Sequence, residues 1–376
     1  MEKKRKLAPL FWGILLFLSI ILLAGELNPP PPAPTATPDP QSAAQVFRDA
    51  EDLAGEAGYW TSILAQDPNN PQAHFNLALV NTLIKPDEVF IHLNQAERYA
   101  AYAAPAGRLK NALRLAGFSE DPAYANILTG QALAAEGQWQ LAEIAFTRST
   151  QANPGYAEAW AYLGEARQRN GLDGYQALET ALELDPKSFA ANVFMGMYWR
   201  RQGKPENGLL YLKSADQIAP GNFVLQVDIA NTLAEIGNID DALSYMQKII
   251  DADPVNVFAW QALALFSIDN EVQVDTIGLS AARQAVILEK NNAASLTLLG
   301  RVFAYREDGF NTQKFLQRAL EADPYYAPAH LHLGIYYLSH AQKSKALEHF
   351  HLAEKFAQDQ TTFQQARDFI QRFSTN

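Results

Sequence analysis

Prolines, most of them preceded by aspartate, punctuate this chain at nearly even intervals. Pro122, Pro154, Pro186, Pro220, Pro254 and Pro324, with Lys290 standing where one is missing, are separated by 32, 32, 34, 34, 36 and 34 residues. A sustained period of this length marks a chain of structural units, each of which buries its apolar face only against its neighbours. The fold is therefore read from the repeat before anything else.

Between two such marks lie two apolar stretches of helical periodicity, joined by a turn that often carries glycine (Gly137, Gly171, Gly203, Gly237). Each second stretch ends at the proline, which cannot continue a helix. Each unit is thus expected to be a helical hairpin and the whole body all-α. In the first stretch a large residue is followed by Leu and then a small residue: Trp160, Leu163, Gly164 and Trp260, Leu263, Ala264. The small residue, also Gly130, Gly196, Ala230, Gly300 and Gly334, lets the paired helix approach closely. In the second stretch Ala and Phe recur four apart, on one helix face, as Ala142 and Phe146 and as Ala346 and Phe350.

These residues resemble the tetratricopeptide repeat, a 34-residue unit with a large residue, Leu, Gly or Ala, and an aromatic in its first helix and Ala, Phe, Ala and Pro in its second. The resemblance covers six to seven units between about residues 123 and 358. It implies a superhelical solenoid of antiparallel helix pairs that binds a protein or peptide in its concave groove. The unit from Ala157 is two residues short, an insertion falls around Asp269 to Asp275, and Gly208 and Thr312 replace the usual alanine; the second helices there are expected to be irregular. Residues 42–122 read as one or two degenerate units, with a helix over 87–103 and an extra one near Arg108 to Leu115. Residues 361–376 read as a capping helix and tail, with Phe363, Ala366, Phe369, Ile370 and Phe373 as one stripe.

The amino-terminal organisation is expected to be a basic cytoplasmic end (1–6), a transmembrane signal-anchor (7–25) and a Pro-rich linker (26–41). Leu7 to Ala24 carries no charge, and 18 helical residues reach roughly 27 Å, nearly the thickness of a bilayer core. A cleaved signal peptide is the alternative, although Leu22 and Leu23 leave the site before Ala24-Gly25 bulky. Glu26 stands where a lipoprotein would need an acylated cysteine. Lys3, Lys4, Arg5 and Lys6 ahead of the apolar run place the amino terminus in the cytoplasm and the repeat body outside it, at a bacterial-type cell membrane. Asn28 to Pro40 holds seven prolines in thirteen residues, a composition suited to an extended polyproline stalk.

The formal charge is −11, and the first 25 residues contribute +3, leaving −14 on the rest, which repels phosphate backbones and argues against nucleic-acid binding. With no cysteine, thiolate catalysis and cysteine-ligated metals are excluded. No phosphate-binding loop, nucleophile elbow or His-Glu-x-x-His helix is present, so neither catalysis nor a cofactor is expected. His330, His332, His340, His349 and His351 crowd the last unit without a helical i,i+4 pair, and they read as ordinary core or surface histidines.

The resemblance also implies which positions of the first helices face the groove: Tyr162, Glu165, Arg169, Phe194, Met197, Arg200, Arg201, Asn231, Phe258, Gln261, Leu265, Arg301, Tyr305 and Ile335. Of these, Tyr162, Arg169, Phe194, Met197, Arg200, Arg201, Asn231, Phe258, Arg301 and Tyr305 are the candidate partner-binding residues. The mixture suits a peptide with apolar anchors and acidic groups. Charge reversal at Arg200 and Arg201 is expected to weaken partner capture without altering thermal unfolding. Positions equivalent to the family's carboxylate clamp for chaperone tails match only at Asn231 and Arg301, so chaperone binding is not implied.

Overall fold

The computed structural model describes residues 40–374; the transmembrane expectation and nearly all of the linker lie outside them. Among the described residues no helix is long and apolar enough to cross a membrane.

The described chain is all-helical, in two compact units that divide after Ile218. The first contains α1 (Pro40–Asp49), α2 (Leu53–Gln66), α3 (Pro71–Ile84), α4 (Pro86–Ala96), α5 (Ala100–Gly117), α6 (Pro122–Ala135), α7 (Trp139–Ala152), α8 (Ala157–Arg169), α9 (Tyr175–Leu184), α10 (Phe189–Arg201) and α11 (Pro205–Ile218). The second contains α12 (Phe223–Glu235), α13 (Ile239–Ala252), α14 (Val257–Asp269), a π-turn (Val274–Gly278), α15 (Leu279–Leu288), α16 (Ala293–Tyr305), α17 (Gly309–Ala322), α18 (Ala327–Ser339), α19 (Lys343–Phe356) and α20 (Gln360–Ser374). From α6 onward consecutive helices pair as hairpins. Within each unit the first helices of successive hairpins also touch, α8 with α10 in one and α14 with α16 and α16 with α18 in the other.

Where the residue two places after the repeat mark is Ser or Asn, it caps the first helix. Ser188, Asn222 and Asn256 accept hydrogen bonds from the opening backbone N–H groups, and Asn292 does the same after Lys290. The proline sets a second, less expected bond. Six residues further on, Trp160 donates its indole N–H to the Pro154 carbonyl and Trp260 to that of Pro254, each at 2.8 Å. Asn192 donates to Pro186 at 3.0 Å, and His74 and His330 meet Pro68 and Pro324 through Nε2 at 3.0 Å. The large residue of the motif is therefore also a donor that satisfies a turn carbonyl.

The hairpin interiors follow the motif. Ala142, Phe146, Ala346 and Phe350 are fully buried. A Cβ on Gly164 would stand 2.6 Å from Leu178 Cγ and 3.1 Å from the Gly174 carbonyl oxygen, so the small residue sets the approach of α8 and α9. At the end of the second unit Phe369 of α20 stacks on Phe350 at 4.6 Å and Phe363 is buried, covering the last hairpin.

Two local expectations change, at Gly208 with Thr312 and over residues 87–103, while the irregularity expected after Asp269 is present. Gly208 and Thr312 sit in regular helices: Gly208 makes room for the Gly196 carbonyl, 2.7 Å from where its Cβ would stand, and Thr312 returns its hydroxyl to the Asp308 carbonyl at 2.9 Å. The insertion after Asp269 is absorbed by the π-turn, with Glu271 and Gln273 in left-handed conformations (φ 54° and 47°). The helix expected over 87–103 breaks at Glu97–Tyr99, and the extra one is the longer α5. That turn lets α5 pack on α3 and bury Ala106 and Leu109.

Candidate functional site

The exposed ridge of the first helices carries the residues expected to meet a partner, and the two units treat them differently. In the first unit, Tyr162 and Phe194 are core residues, 1% and 0% exposed, with Tyr162 stacked on Phe146 at 5.3 Å and edge-on to Phe194 at 5.4 Å. They glue neighbouring hairpins together because α8 and α10 are in contact, which leaves no surface for a peptide. Met197 and Arg200 are half-buried.

Arg169 and Arg201 are committed to the protein itself. Both guanidiniums bond the buried carboxylate of Glu165, Arg169 at 2.8 Å and Arg201 through two N–H groups at 2.8 and 2.7 Å. Burial raises the Glu165 carboxyl, but the two guanidiniums outweigh it and hold it below the usual carboxylate range. Arg169 also lies over the Trp139 ring at 5.2 Å. The ridge arginines of this unit therefore complete a buried ion triad. Reversing Arg201 would put a second carboxylate against Glu165, which should lower stability as well as alter the ridge.

In the second unit the ridge is open and apolar. Phe258 is 62% exposed and Tyr305 48%, with Leu265 and Ile335 also exposed on α14 and α18. Asn231 is half-buried on α12. Gln261 is occupied with Asn292 and Ser295, at 3.1 and 2.8 Å. Arg301 bonds Asp269 of the preceding hairpin at 2.7 Å. Beneath Arg301 a cavity of about 370 Å³ opens between α16, α17 and α18, lined among others by His332, Ile335, Tyr336 and His340. Burial, assisted by the Arg301 charge, pushes His332 down to about 3, so the ring is neutral at ordinary pH and serves as donor and acceptor. His332 was not among the expected ridge residues. Its place eight residues after Pro324, one turn before Ile335, was the available signal.

Charge pairs tie adjacent hairpins on both ridges, Glu165 to Arg201 of the following hairpin and Arg301 to Asp269 of the preceding one. The ridge charges are cross-repeat staples first. Among the described residues no cluster of three or more His, Asp or Glu side chains could hold a metal ion.

Paired helices of near-constant length, a proline-set turn and a small-residue contact define a helical-hairpin repeat protein. Residues 200–265 match the tetratricopeptide repeat family model. That segment carries the tetratricopeptide repeat signature, and the helical hairpins on either side of it share the fold. A curated relative is a probable UDP-N-acetylglucosamine–peptide N-acetylglucosaminyltransferase SPINDLY of Hordeum vulgare, 28% identical over 195 residues, which are 52% of this chain but 18% of that protein. A tetratricopeptide repeat protein from Parabacteroides merdae superposes with a TM-score of 0.53 at 13% identity, covering 66% of this chain and 99% of that one. Yeast Tom70 aligns over 90% of this chain and 89% of its own at 14% identity, with a TM-score of 0.41.

Proposed function

We propose that the protein is a membrane-anchored scaffold or adaptor that binds a protein or peptide along the exposed ridge of its second unit and catalyses nothing. The observation that carries the reading is the exposure of Phe258, Leu265, Tyr305 and Ile335 on first helices that are otherwise packed and internally paired. Apolar side chains held in water on a rigid helical layer supply anchor sites for a partner. The spent charge of Arg301 and the neutral His332 make the site one for apolar or uncharged polar groups rather than for an acidic tail. The charge-free run Leu7–Ala24 behind Lys3–Lys6 supports an anchor with the repeats on the extracytoplasmic side of a bacterial-type membrane.

The test is crosslinking in native membranes with wild type and a Phe258→Ser/Tyr305→Ser double variant. Both side chains are exposed, so unfolding should be unchanged while recovery of the crosslinked partner falls at least tenfold. Equal recovery would remove this ridge from the model, and recovery of the protein in the soluble fraction after carbonate washing would remove the anchor. A second reading, an accessory subunit that positions an envelope enzyme or a secretion or assembly machine, uses the same ridge and differs only in what the crosslink captures.

A further inference from the structure

Two hairpins, one in each unit, contain the same pair of histidines. His74 Nδ1 lies 3.0 Å from His92 Nδ1, and His330 Nδ1 lies 3.0 Å from His349 Nδ1. In both, the first histidine uses Nε2 to reach the punctuating proline carbonyl at 3.0 Å. A carbonyl only accepts, so Nε2 carries the proton and Nδ1 of His74 and of His330 presents a lone pair. That is the arrangement found around metal-binding imidazoles, where a bond from the far nitrogen to a backbone carbonyl fixes tautomer and ring.

We propose that each histidine pair is a chelating site for a divalent transition metal of square-planar or tetragonal preference, Cu²⁺ first. Copper is placed first because it heads the affinity order of imidazole sites for the divalent first-row ions. Imidazole is a suitable ligand for copper, and the absence of a third protein ligand leaves the remaining positions to water.

Entry of the ion replaces the hydrogen bond between the rings. His330 stays in place on Pro324, while His349 pivots off the line joining the two nitrogens and moves its proton from Nδ1 to Nε2 by exchange with solvent. Room for that pivot lies beside it: His349 borders an open cleft lined by Gln317, Glu321 and Tyr337, and its ring stacks on Tyr337 at 5.4 Å.

The experiment is titration of the untagged full-length chain with Cu²⁺, with His349→Phe, His92→Phe and the double variant alongside. Phenylalanine keeps the ring and leaves both proline contacts untouched. Two ions per wild-type chain, one per single variant and none in the double variant are expected, with weaker uptake of Zn²⁺ throughout. Electron paramagnetic resonance of the copper-loaded wild type should resolve two imidazole nitrogens per ion, a readout that does not depend on the variants folding. No uptake by the wild type would reduce the pairs to hydrogen bonds only. Uptake unchanged in the folded double variant, or a single-nitrogen spectrum, would place the copper elsewhere and overturn the proposal.

Discussion

Glu165 is the side chain on which the first unit's ridge turns. Its carboxylate is buried, and Arg169 and Arg201 both close on it. Glu165→Ala leaves two guanidiniums facing each other without a counter-ion, and breaking a buried pair in this way costs about 3–5 kcal/mol. Urea unfolding should report a loss of that size, and a loss below about 1 kcal/mol would mean that water already screens the site. Trp260→Phe keeps the bulk and removes the donor to Pro254, for a loss of about 1 kcal/mol by the same assay. His332 adds a pH dependence of known sign. Its folded value is pushed down to about 3 against an ordinary histidine value of about 6.5. The stability it lends is complete above about 6.5 and drains away as pH falls from there toward about 3, because only the unfolded chain takes up the proton. Between pH 7 and pH 5 wild type should therefore lose more stability than His332→Gln; parallel curves would show that the ring is solvated.

At the scale of the helix pair, the contact between α8 and α9 is set by Gly164. A Cβ there meets Leu178 and the Gly174 backbone, so Gly164→Val should overpack the hairpin and destabilise by about 1–3 kcal/mol, read by thermal unfolding. Full recovery of wild-type stability in Gly164→Val would mean that α9, the shortened second helix, is free to slide. The hairpins themselves were legible in the sequence because proline, small residue and Ala–Phe spacing each state a local geometry. Two things were not. The α4–α5 break depends on where α5 finds α3, a tertiary contact without a local signal. The ridge readings failed at Tyr162, Phe194, Arg169 and Arg201 because register gives a residue's direction on its own helix, whereas neighbouring first helices decide whether that direction leads to water. The opposite charges at Glu165 and Arg201, 36 residues apart, were visible as a cross-repeat complement in the sequence.

Across each unit the repeats hold one another, so the terminal helix supports more than the hairpin it covers. Removing residues 358–376 would uncover Phe350 and the faces of α18 and α19 that α20 covers. In a linear array, loss of a cap unfolds inward from the exposed end. The truncated chain should lose protection from hydrogen exchange first in α18 and α19, and it should aggregate at concentrations where the full chain does not. Uniform protection in the truncated chain would show that the last hairpin stands alone. The second unit also carries the exposed Phe258 and Tyr305, so the end most dependent on its cap is the end proposed to meet a partner.

The bond to the proline carbonyl has a consequence for how such a repeat can drift. Tryptophan, asparagine and histidine are dissimilar in size and hydrophobicity, yet at this place they are synonyms, because each can point an N–H at the same oxygen. Substitution among them preserves the turn, so selection on folding is nearly blind to which is used. Histidine alone of the three brings a second ring nitrogen that the turn does not employ. A neutral exchange made for the sake of the scaffold thereby leaves a nitrogen that the turn does not need, met in both hairpins by a facing histidine, from which new chemistry can start.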